Sequence, residues 1–295
     1  MIDIHSNAQI PAATMLLDEK GKQLERIKDS ENPLAAYDLG QTSIFSIKAA
    51  DNKTDLYCRV IKPRNFDSTK KYPVVTYVYG GPHLQMVKNT WLYGSDLWMQ
   101  YMAQQGYVVF SLDNRGSDNR GLEFENASHQ NLGKEEMADQ LKGREWLLQQ
   151  TYVDSSRMAI FGWSFGGFMT TSLMTRFPGK YQVGIAGGPV IDWGLYEIMY
   201  TERYMRTPNE NPEGYKESNL LNHISNLRGK LMLIHGTSDD VVLWQHSLIY
   251  LKESIKKGIQ LDYFVYPGHQ HNVFGKDRVH LYQKVTDYIN QNLSK

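Results

Sequence analysis

Residues 158–174 read MAIFGWSFGGFMTTSLM, and this stretch decides the fold. Its first four residues are apolar, as expected of a strand that is covered on both faces of a sheet. A Gly-x-Ser-x-Gly turn follows at 162–166, and the residues after it have the apolar composition of a buried helix. The stretch therefore predicts a strand, a tight turn with Ser164 at its tip, and a helix packed on the sheet.

The same alternation of strand and helix patterns continues on both sides of this stretch. Short apolar runs predict strands at Val74–Tyr79, Tyr107–Leu112, Arg157–Gly162, Val183–Ala186, Leu231–Ile234 and Leu261–Tyr266. The segments between them predict helices at Asp96–Gln105, Lys134–Gln150, Gly167–Arg176, Gln245–Lys257 and Val279–Asn292. Ser43–Lys48 and Leu56–Lys62 indicate an antiparallel pair at one edge, and residues 15–27 indicate a hairpin. This spacing predicts an α/β protein with a doubly wound, mostly parallel sheet and helices on both faces.

The turn at Ser164 also carries a chemical prediction. Glycines at Gly162 and Gly166 remove the side-chain clashes that would block so tight a turn. The Phe165 backbone N–H, at the start of the helix, can donate a hydrogen bond to a developing oxyanion. This context is typical of the nucleophile in the α/β-hydrolase fold. The alternative is a glycine-rich turn that only closes a strand–helix unit.

A serine needs a base, and in this fold an acid and then a histidine follow the serine along the chain. Asp239 and Asp240 lie in the loop after one predicted strand, and His269 and His271 lie in the loop after the next. The carboxyl ends of parallel strands meet at one edge of a sheet, so these loops can reach Ser164. The residues alone do not distinguish between the two members of each pair.

The composition excludes several other classes of protein. The chain has 32 basic and 32 acidic residues among 295, and no basic run indicates a nucleic-acid partner. The single cysteine, Cys58, excludes an internal disulfide framework and a cysteine-based zinc site. No stretch of sequence is apolar enough to predict a membrane span. The length is sufficient for a large core without disulfide or metal.

Together these residues resemble the prolyl oligopeptidase family of serine peptidases, and within it the dipeptidyl peptidase IV branch. Residues 162–168, GWSFGGF, differ from the GWSYGG of that branch only at Phe165, and YTERYM at 200–205 matches its signature. The resemblance extends from about Tyr57 to Leu293. It is strongest to the bacterial prolyl tripeptidyl aminopeptidases, through residues 187–193, 196–200, 241–248 and 271–273.

Carried over residue by residue, the resemblance implies a catalytic role for five positions. Ser164 is implied as the nucleophile, Asp239 as the orienting acid and His271 as the general base, with no metal or cofactor. The Tyr79 hydroxyl is implied as a second oxyanion donor beside the Phe165 N–H. The strand pattern alone would identify Tyr79 as a buried aromatic residue.

The resemblance also implies an apolar pocket for the residue before the cleaved bond. Flat aromatic walls suit a proline ring, which buries apolar surface and has no N–H to satisfy. Without the resemblance, the same residues would be interpreted as core packing at helical spacing. The implied pocket residues are Val190, Trp193, Tyr196, Tyr200 and Val242.

Two further positions bear on the length of the released peptide. The resemblance implies that Glu197 binds the free amino terminus of the substrate, together with a glutamate from another domain; the alternative is an exposed helix glutamate. An internal peptide would leave this carboxylate unpaired. Val241 stands where the dipeptidyl branch usually has asparagine, which favours tripeptides over dipeptides. The prediction is an exopeptidase that releases Xaa-Xaa-Pro from peptide substrates.

Alternatives stay open at this point. A dipeptidyl peptidase that releases Xaa-Pro, or an acylaminoacyl peptidase or esterase, would use the same chemistry, whereas an inactive hydrolase domain would serve only for binding. The resemblance implies a β-propeller before the hydrolase domain. Residues 1–45 are therefore interpreted as its last strands and a linker, and residues 46–295 as the catalytic domain. For the whole protein the resemblance also implies a homodimer and a periplasmic or cell-surface location.

Overall fold

A computed structural model of the chain describes residues 1–8 and 10–293. Near the amino terminus, three antiparallel strands form a small sheet in which β2 pairs with both neighbours. The predicted hairpin at 15–27 corresponds to the second and third of these strands, to which the structure adds a first. The strands are β1 (Ile2–His5), β2 (Ala13–Leu17) and β3 (Gln23–Asp29).

A second sheet of eight strands has the order β11-β10-β9-β8-β6-β7-β5-β4. Its members are β4 (Gln41–Lys48), β5 (Asp55–Lys62), β6 (Tyr72–Tyr77), β7 (Val108–Leu112), β8 (Val153–Trp163), β9 (Val183–Gly187), β10 (Lys230–Gly236) and β11 (Asp262–Tyr266). The strands from β11 to β7 are parallel, and β5 is antiparallel to both β7 and β4. The predicted α/β-hydrolase fold, with an antiparallel pair at one edge, is confirmed.

Helices cover both faces of this sheet. Side chains that alternate along a strand point to opposite faces, so Val74 joins one buried cluster and Val75 the other. The first cluster includes side chains from α3, α4 and α7, and the second includes side chains from α1 and α8. The helices are α1 (Leu97–Gln104), α2 (Leu122–Glu125), α3 (Glu135–Leu148), α4 (Phe165–Arg176), α5 (Ile198–Met205), α6 (Pro212–Ser218), α7 (Gln245–Lys256) and α8 (Asp277–Leu293).

The structure differs from the prediction in a few places that matter for the site. The strand β6 ends at Tyr77, so Tyr79 lies in the loop beyond it, where Gly80 has a φ of +75°. The region 192–226, for which no element was predicted, contains the short helices α5 and α6. The predicted domain boundary at residue 45 falls inside β4. The division into a linker and a catalytic domain stays a prediction.

Within the described residues, no helix combines the length and the apolar character needed to cross a bilayer.

Candidate active site

Ser164 lies at a strained turn between β8 and α4, at the carboxyl edge of the central strands. Its backbone has φ +60° and ψ −119°, in the left-handed half of backbone space that a serine rarely occupies. The turn is closed by close backbone approach, since a methyl group at Gly162 would overlap Gly166, and one at Gly166 would overlap the carbonyl oxygen of Val78. The Ser164 N–H donates to the Gly187 carbonyl at 2.8 Å. These contacts fix the serine where its hydroxyl faces the cleft.

Asp239 and His271 come together from the loops after β10 and β11. The Asp239 Oδ2 lies 2.8 Å from Nδ1 of His271 and 3.2 Å from Nε2 of the buried His235. The other carboxylate oxygen accepts the backbone N–H groups of Val241 and Val242 at 3.0 and 2.8 Å. Burial by itself raises the pKa of Asp239, but the hydrogen bonds from His235 and His271 outweigh burial and hold this pKa well below its ordinary value. Asp239 is therefore a carboxylate at neutral pH.

The structure separates the two members of each pair that the sequence left open. Asp240 is exposed, whereas Asp239 is buried. His269 lies 2.8 Å from Asp277 at the start of α8, and His271 contacts Asp239. Because Nδ1 of His271 faces the carboxylate, Nε2 is the nitrogen left for a proton from the cleft.

A glycine pair at the end of β9, Gly187 and Gly188, lies next to the residues of the site. A side chain at Gly188 would lie 3.3 Å from the His271 ring and 3.5 Å from Asp239 Oδ2. At Gly187 a side chain would overlap the ring of Trp163, whose indole N–H donates to the His271 carbonyl at 2.7 Å. The absence of two side chains thus leaves room for the Trp163 ring and for the His271–Asp239 pair.

The two predicted oxyanion donors lie beside Ser164. Phe165 is the first residue of α4, and N–H groups in the first turn of a helix have no intrahelical acceptor. The Tyr79 ring lies 6.1 Å from the Phe165 ring, and Tyr79 lines the same cavity as Ser164. Burial raises the pKa of the Tyr79 hydroxyl, so it carries a proton at neutral pH. Both groups can therefore donate a hydrogen bond.

The predicted pocket residues form an aromatic group next to α4. Trp193 stacks on Tyr200 with an interplanar angle of 9° and meets Tyr196 edge to face, at centroid distances of 5.9 and 5.5 Å. Val190, Trp193 and Val242 are buried, whereas Tyr196 and Tyr200 are half-buried. Of the five, only Tyr196 lines the cavity that contains Ser164 and His271. The other four pack behind or beside this wall.

The loop that carries these aromatic residues is held by buried polar contacts. His246 Nδ1 accepts the Ile191 N–H at 3.1 Å, and Asp192 accepts the Asn219 amide at 2.7 Å. Burial, assisted by the nearby His235, lowers the pKa of His246 to about 4, so the ring is neutral and can accept. The aromatic wall is thus fixed before any ligand enters.

Glu197 is exposed at the N-terminus of α5. One of its carboxylate oxygens accepts the Met199 N–H at 2.9 Å, which makes Glu197 the N-cap of that helix. Its charge is the second cause, after burial, that raises the pKa of the neighbouring Tyr196 to about 12. The structure therefore leaves Glu197 next to the aromatic wall, with its second oxygen open to solvent.

Sequence reasoning missed three residues that support this site. His235 and Trp163 bind Asp239 and the His271 backbone, and Asn114 donates to the Gly80 carbonyl at 2.8 Å, beside Tyr79. Trp163 lies 108 positions before its partner, so no local pattern could have revealed the contact. His235 stands at the end of an apolar strand, four residues before Asp239, and this spacing was the available signal. No group of three or more His, Cys, Asp or Glu side chains in residues 1–8 and 10–293 is arranged to hold a metal ion.

Comparison with known proteins gives a consistent set of relatives. The sequence model of the prolyl oligopeptidase family matches residues 94–295. The mouse protein named dipeptidyl peptidase 8 is 34% identical over 272 residues, which cover 90% of this chain and 30% of that protein. Mouse prolyl endopeptidase FAP is 33% identical over 279 residues, or 93% of this chain and 36% of its own length. The chain thus spans about a third of the length of these relatives.

Two solved structures share the fold. A protein described as a dipeptidyl aminopeptidase IV from Bacteroides ovatus is 52% identical, with a TM-score of 0.98 over 99% of this chain and 41% of that one. Dipeptidyl peptidase 4 from Porphyromonas gingivalis is 35% identical, with a TM-score of 0.93 over 99% of this chain and 42% of that one. The similarity includes the whole eight-stranded sheet.

Proposed function

The chain belongs to the prolyl oligopeptidase family, and we propose that it is a serine peptidase that cuts after proline close to a free amino terminus. The observation that carries the proposal is the short contact between His271 and the ionised Asp239, with Ser164 held at a strained turn beside them. An orienting acid, a base and a hydroxyl nucleophile, at the carboxyl ends of β10, β11 and β8, are the parts that acyl transfer needs.

In the proposed reaction, the Ser164 Oγ attacks the carbonyl carbon of the scissile peptide bond while His271 Nε2 takes its proton. The tetrahedral intermediate collapses when the C–N bond breaks and the imidazolium returns that proton to the leaving amine. A water molecule then attacks the acyl-enzyme carbonyl and gives a proton to His271. The second tetrahedral intermediate collapses when the bond to Ser164 Oγ breaks, and the imidazolium returns that proton to Oγ as the carboxylic acid leaves. Asp239 stabilises the imidazolium in both halves and fixes the ring orientation.

The Phe165 N–H and the Tyr79 hydroxyl would stabilise the negative charge that develops on the carbonyl oxygen. Both donors are fixed before substrate binds, so they need no reorganisation during the reaction. Asn114 supports this arrangement because it holds the carbonyl of Gly80, the residue after Tyr79.

The aromatic group around Trp193 supports selectivity for proline before the cleaved bond. A proline ring buries its apolar surface against flat side chains and brings no N–H that would stay unsatisfied. Tyr196 offers such a face next to Ser164, and Tyr200 extends it. Larger or charged side chains would have to bury polar atoms against the same walls.

For the length of the released peptide we propose three residues, Xaa-Xaa-Pro. The support is Val241, which lines the cavity and is 43% exposed, and which offers no polar side chain to a substrate carbonyl. A second candidate is the release of Xaa-Pro dipeptides, because both similar solved structures are described as dipeptidyl peptidases. In either case Glu197 would pair with the substrate ammonium.

The two candidates are separated by rates on matched chromogenic substrates. We would measure kcat/KM for Ala-Ala-Pro, Ala-Pro and amino-blocked Ala-Ala-Pro nitroanilides. Release of three residues predicts the highest value for the free tripeptide substrate, and release of two predicts it for Ala-Pro. A preference for the blocked substrate would contradict the pairing of Glu197 with the substrate ammonium, which both candidates share. It would favour an acylaminoacyl peptidase.

The Ser164→Ala variant tests the catalytic mechanism itself. Members of a catalytic triad act as a unit, so we expect kcat to fall by about 10⁶ on every substrate. Circular dichroism of the variant should match that of the unchanged protein. A correctly folded Ser164→Ala variant with normal turnover would refute the role of Ser164 as the nucleophile.

A further inference from the structure

The cavity that contains Ser164 extends beyond the catalytic residues, and its other end has no function in the proposed reaction. Its volume is about 540 Å³, and besides Ser164, Tyr79 and Tyr196 it is lined by residues that no part of the proposed chemistry uses. These residues follow His271 along the chain or lie on the β6 and β8 strands beneath it. They include Tyr77, Phe161, Val273, Arg278, Leu281 and Tyr282.

The position of the histidine decides which part of the substrate this end would receive. In acyl transfer by a serine, the histidine returns its proton to the leaving amine, so the leaving group lies on the histidine side. The proposed function already assigns Tyr196 and Glu197 to the amino-terminal part of the substrate. The end beyond His271 is therefore left for the peptide that departs. This step rests on the proposed function.

The walls of this end are aromatic and rigid. The rings of Tyr77 and Phe161 meet edge to face at 5.5 Å, and Tyr282 stacks on Trp98 at 5.6 Å with an interplanar angle of 11°. The Tyr282 hydroxyl donates to Asp96 at 2.9 Å, and this hydrogen bond fixes the Tyr282 side chain. Such walls can accept an apolar side chain of the leaving peptide.

Arg278 brings a positive charge into the same space. Its Nη2 donates to the Tyr282 hydroxyl at 3.1 Å, and this hydrogen bond, despite some burial, raises the pKa of Arg278. Among the described residues no carboxylate lies within 4.0 Å of its guanidinium. Asp277, beside it on α8, pairs with His269. Asp96 accepts the Tyr282 hydroxyl and acts on Arg278 by its charge, from beyond ion-pair distance. Arg278 is thus a tethered cation without an ion-pair partner.

We propose that Arg278 binds a carboxylate of the leaving peptide, at the end of the cleft that follows the cleaved bond. The guanidinium presents parallel N–H groups that match a carboxylate, and Tyr282 holds the fork in one orientation. The carboxylate can be the C-terminus of a short leaving peptide or an acidic side chain near the cut. The enzyme would accordingly prefer short or acidic leaving peptides to neutral ones.

The test compares leaving groups on one constant amino-terminal part, Ala-Ala-Pro or Ala-Pro, whichever the enzyme accepts. One pair ends in Ala-Ala with a free carboxylate or with an amide, and a second pair ends in Ala-Glu-amide or Ala-Gln-amide. We expect the unchanged protein to cleave the charged member of at least one pair about fivefold faster in kcat/KM, as for a partly exposed ion pair. A preference in the first pair alone identifies the C-terminus as the ligand, and one in the second pair alone identifies the side chain.

The Arg278→Gln variant should lose this preference and keep normal turnover of nitroanilides, whose leaving group has no carboxylate. The matched control is Arg228→Gln, which removes an exposed arginine just before β10, at the opposite edge of the sheet from the site. It should keep the preference. Equal rates for both members of both pairs, or a preference that persists in Arg278→Gln, would overturn the proposal. Failure of the proposed function is distinguishable because then no proline substrate is cleaved at all.

Discussion

The turn at Ser164 and the entrance at Glu197 are built in opposite ways. At the turn, the glycines, the Val78 carbonyl, Trp163 and the loop after β9 leave no room for movement. At the entrance, Glu197 caps a helix of eight residues whose first two side chains, Ile198 and Met199, are 66% and 70% exposed. Under the proposed function, the bond-breaking chemistry would therefore be fixed by rigid groups of this chain. Selection by substrate length would depend on more exposed groups such as Glu197.

The largest expected effect comes from the rigid region, at Asp239. Replacing Asp239 by Asn puts an amide where His271 Nδ1 needs an acceptor, and favours the wrong tautomer of the ring. We expect kcat to fall by about 10⁴. The control is Asp240→Asn, one residue along the chain and exposed, which should change kcat by less than about twofold because surface changes are usually neutral. Equal losses in the two variants would show that Asp239 has no special role.

A smaller loss tests the oxyanion donors of the same region. Tyr79→Phe removes one hydroxyl and keeps the ring against Phe165, so kcat should fall by about 10² to 10³ with KM nearly unchanged. Tyr204→Phe is the matched control, because Tyr204 is near Tyr79 but is not among the residues that line the cavity of Ser164. If KM rises and kcat is constant, Tyr79 binds substrate and does not stabilise the transition state.

At Glu197 we expect a much weaker effect on catalysis than at Asp239 or Tyr79. Glu197→Gln removes the charge offered to the substrate ammonium, and an exposed ion pair stabilises by about 0.5 to 1 kcal/mol. We therefore expect kcat/KM to fall two- to fivefold on substrates with a free amino terminus and to stay constant on amino-blocked ones. Glu202→Gln, on the same helix, should leave both unchanged. A loss of about a hundredfold would mean that Glu197 is held as firmly as the catalytic residues.

Replacing Glu136, a residue of α3, by Gln should have the smallest effect on activity and a clear effect on stability. This residue is fully buried, and burial raises its pKa to about 8. The folded protein keeps this proton between the ordinary carboxyl pKa and pH 8, whereas the unfolded chain loses it. Stability from this group therefore falls as pH rises through that window, by roughly 1.4 kcal/mol per pH unit.

Denaturant unfolding of Glu136→Gln and the unchanged protein at pH 5, 6, 7 and 8 measures this dependence. The variant should gain stability relative to the unchanged protein at each step, because a neutral amide has no proton to lose. Glu123→Gln, at an exposed glutamate, should follow the unchanged protein at every pH. A constant difference between Glu136→Gln and the unchanged protein would mean that Glu136 is already ionised when folded.

The main sheet and its large helices could be predicted from sequence because their apolar patterns are local. The strand and helix around Ser164 are an example, since Met158–Phe161 and the residues after Gly166 reveal their surroundings by composition. The short helices α5 and α6 could not be predicted, because helices of seven or eight residues show little more than two turns of periodicity.

Part of the site depended on contacts across long stretches of chain. The choice between Asp239 and Asp240 is set by which of them turns toward His271 and His235, and adjacent residues in a loop give no pattern for that. The surroundings of Arg278 likewise include Tyr77 and Asp96, which are about 180 to 200 positions away. Only the folded structure brings these groups together.

The central claim is that Ser164 is a nucleophile activated by His271 and Asp239, and labelling with a fluorophosphonate tests it most directly. The folded protein would be treated with the reagent, digested and mapped by mass spectrometry, beside Asp239→Asn and heat-unfolded samples. We expect one adduct, on Ser164, which forms much more slowly in Asp239→Asn and not at all after unfolding. A folded protein that stays unlabelled, or that is labelled at another residue, would contradict the account.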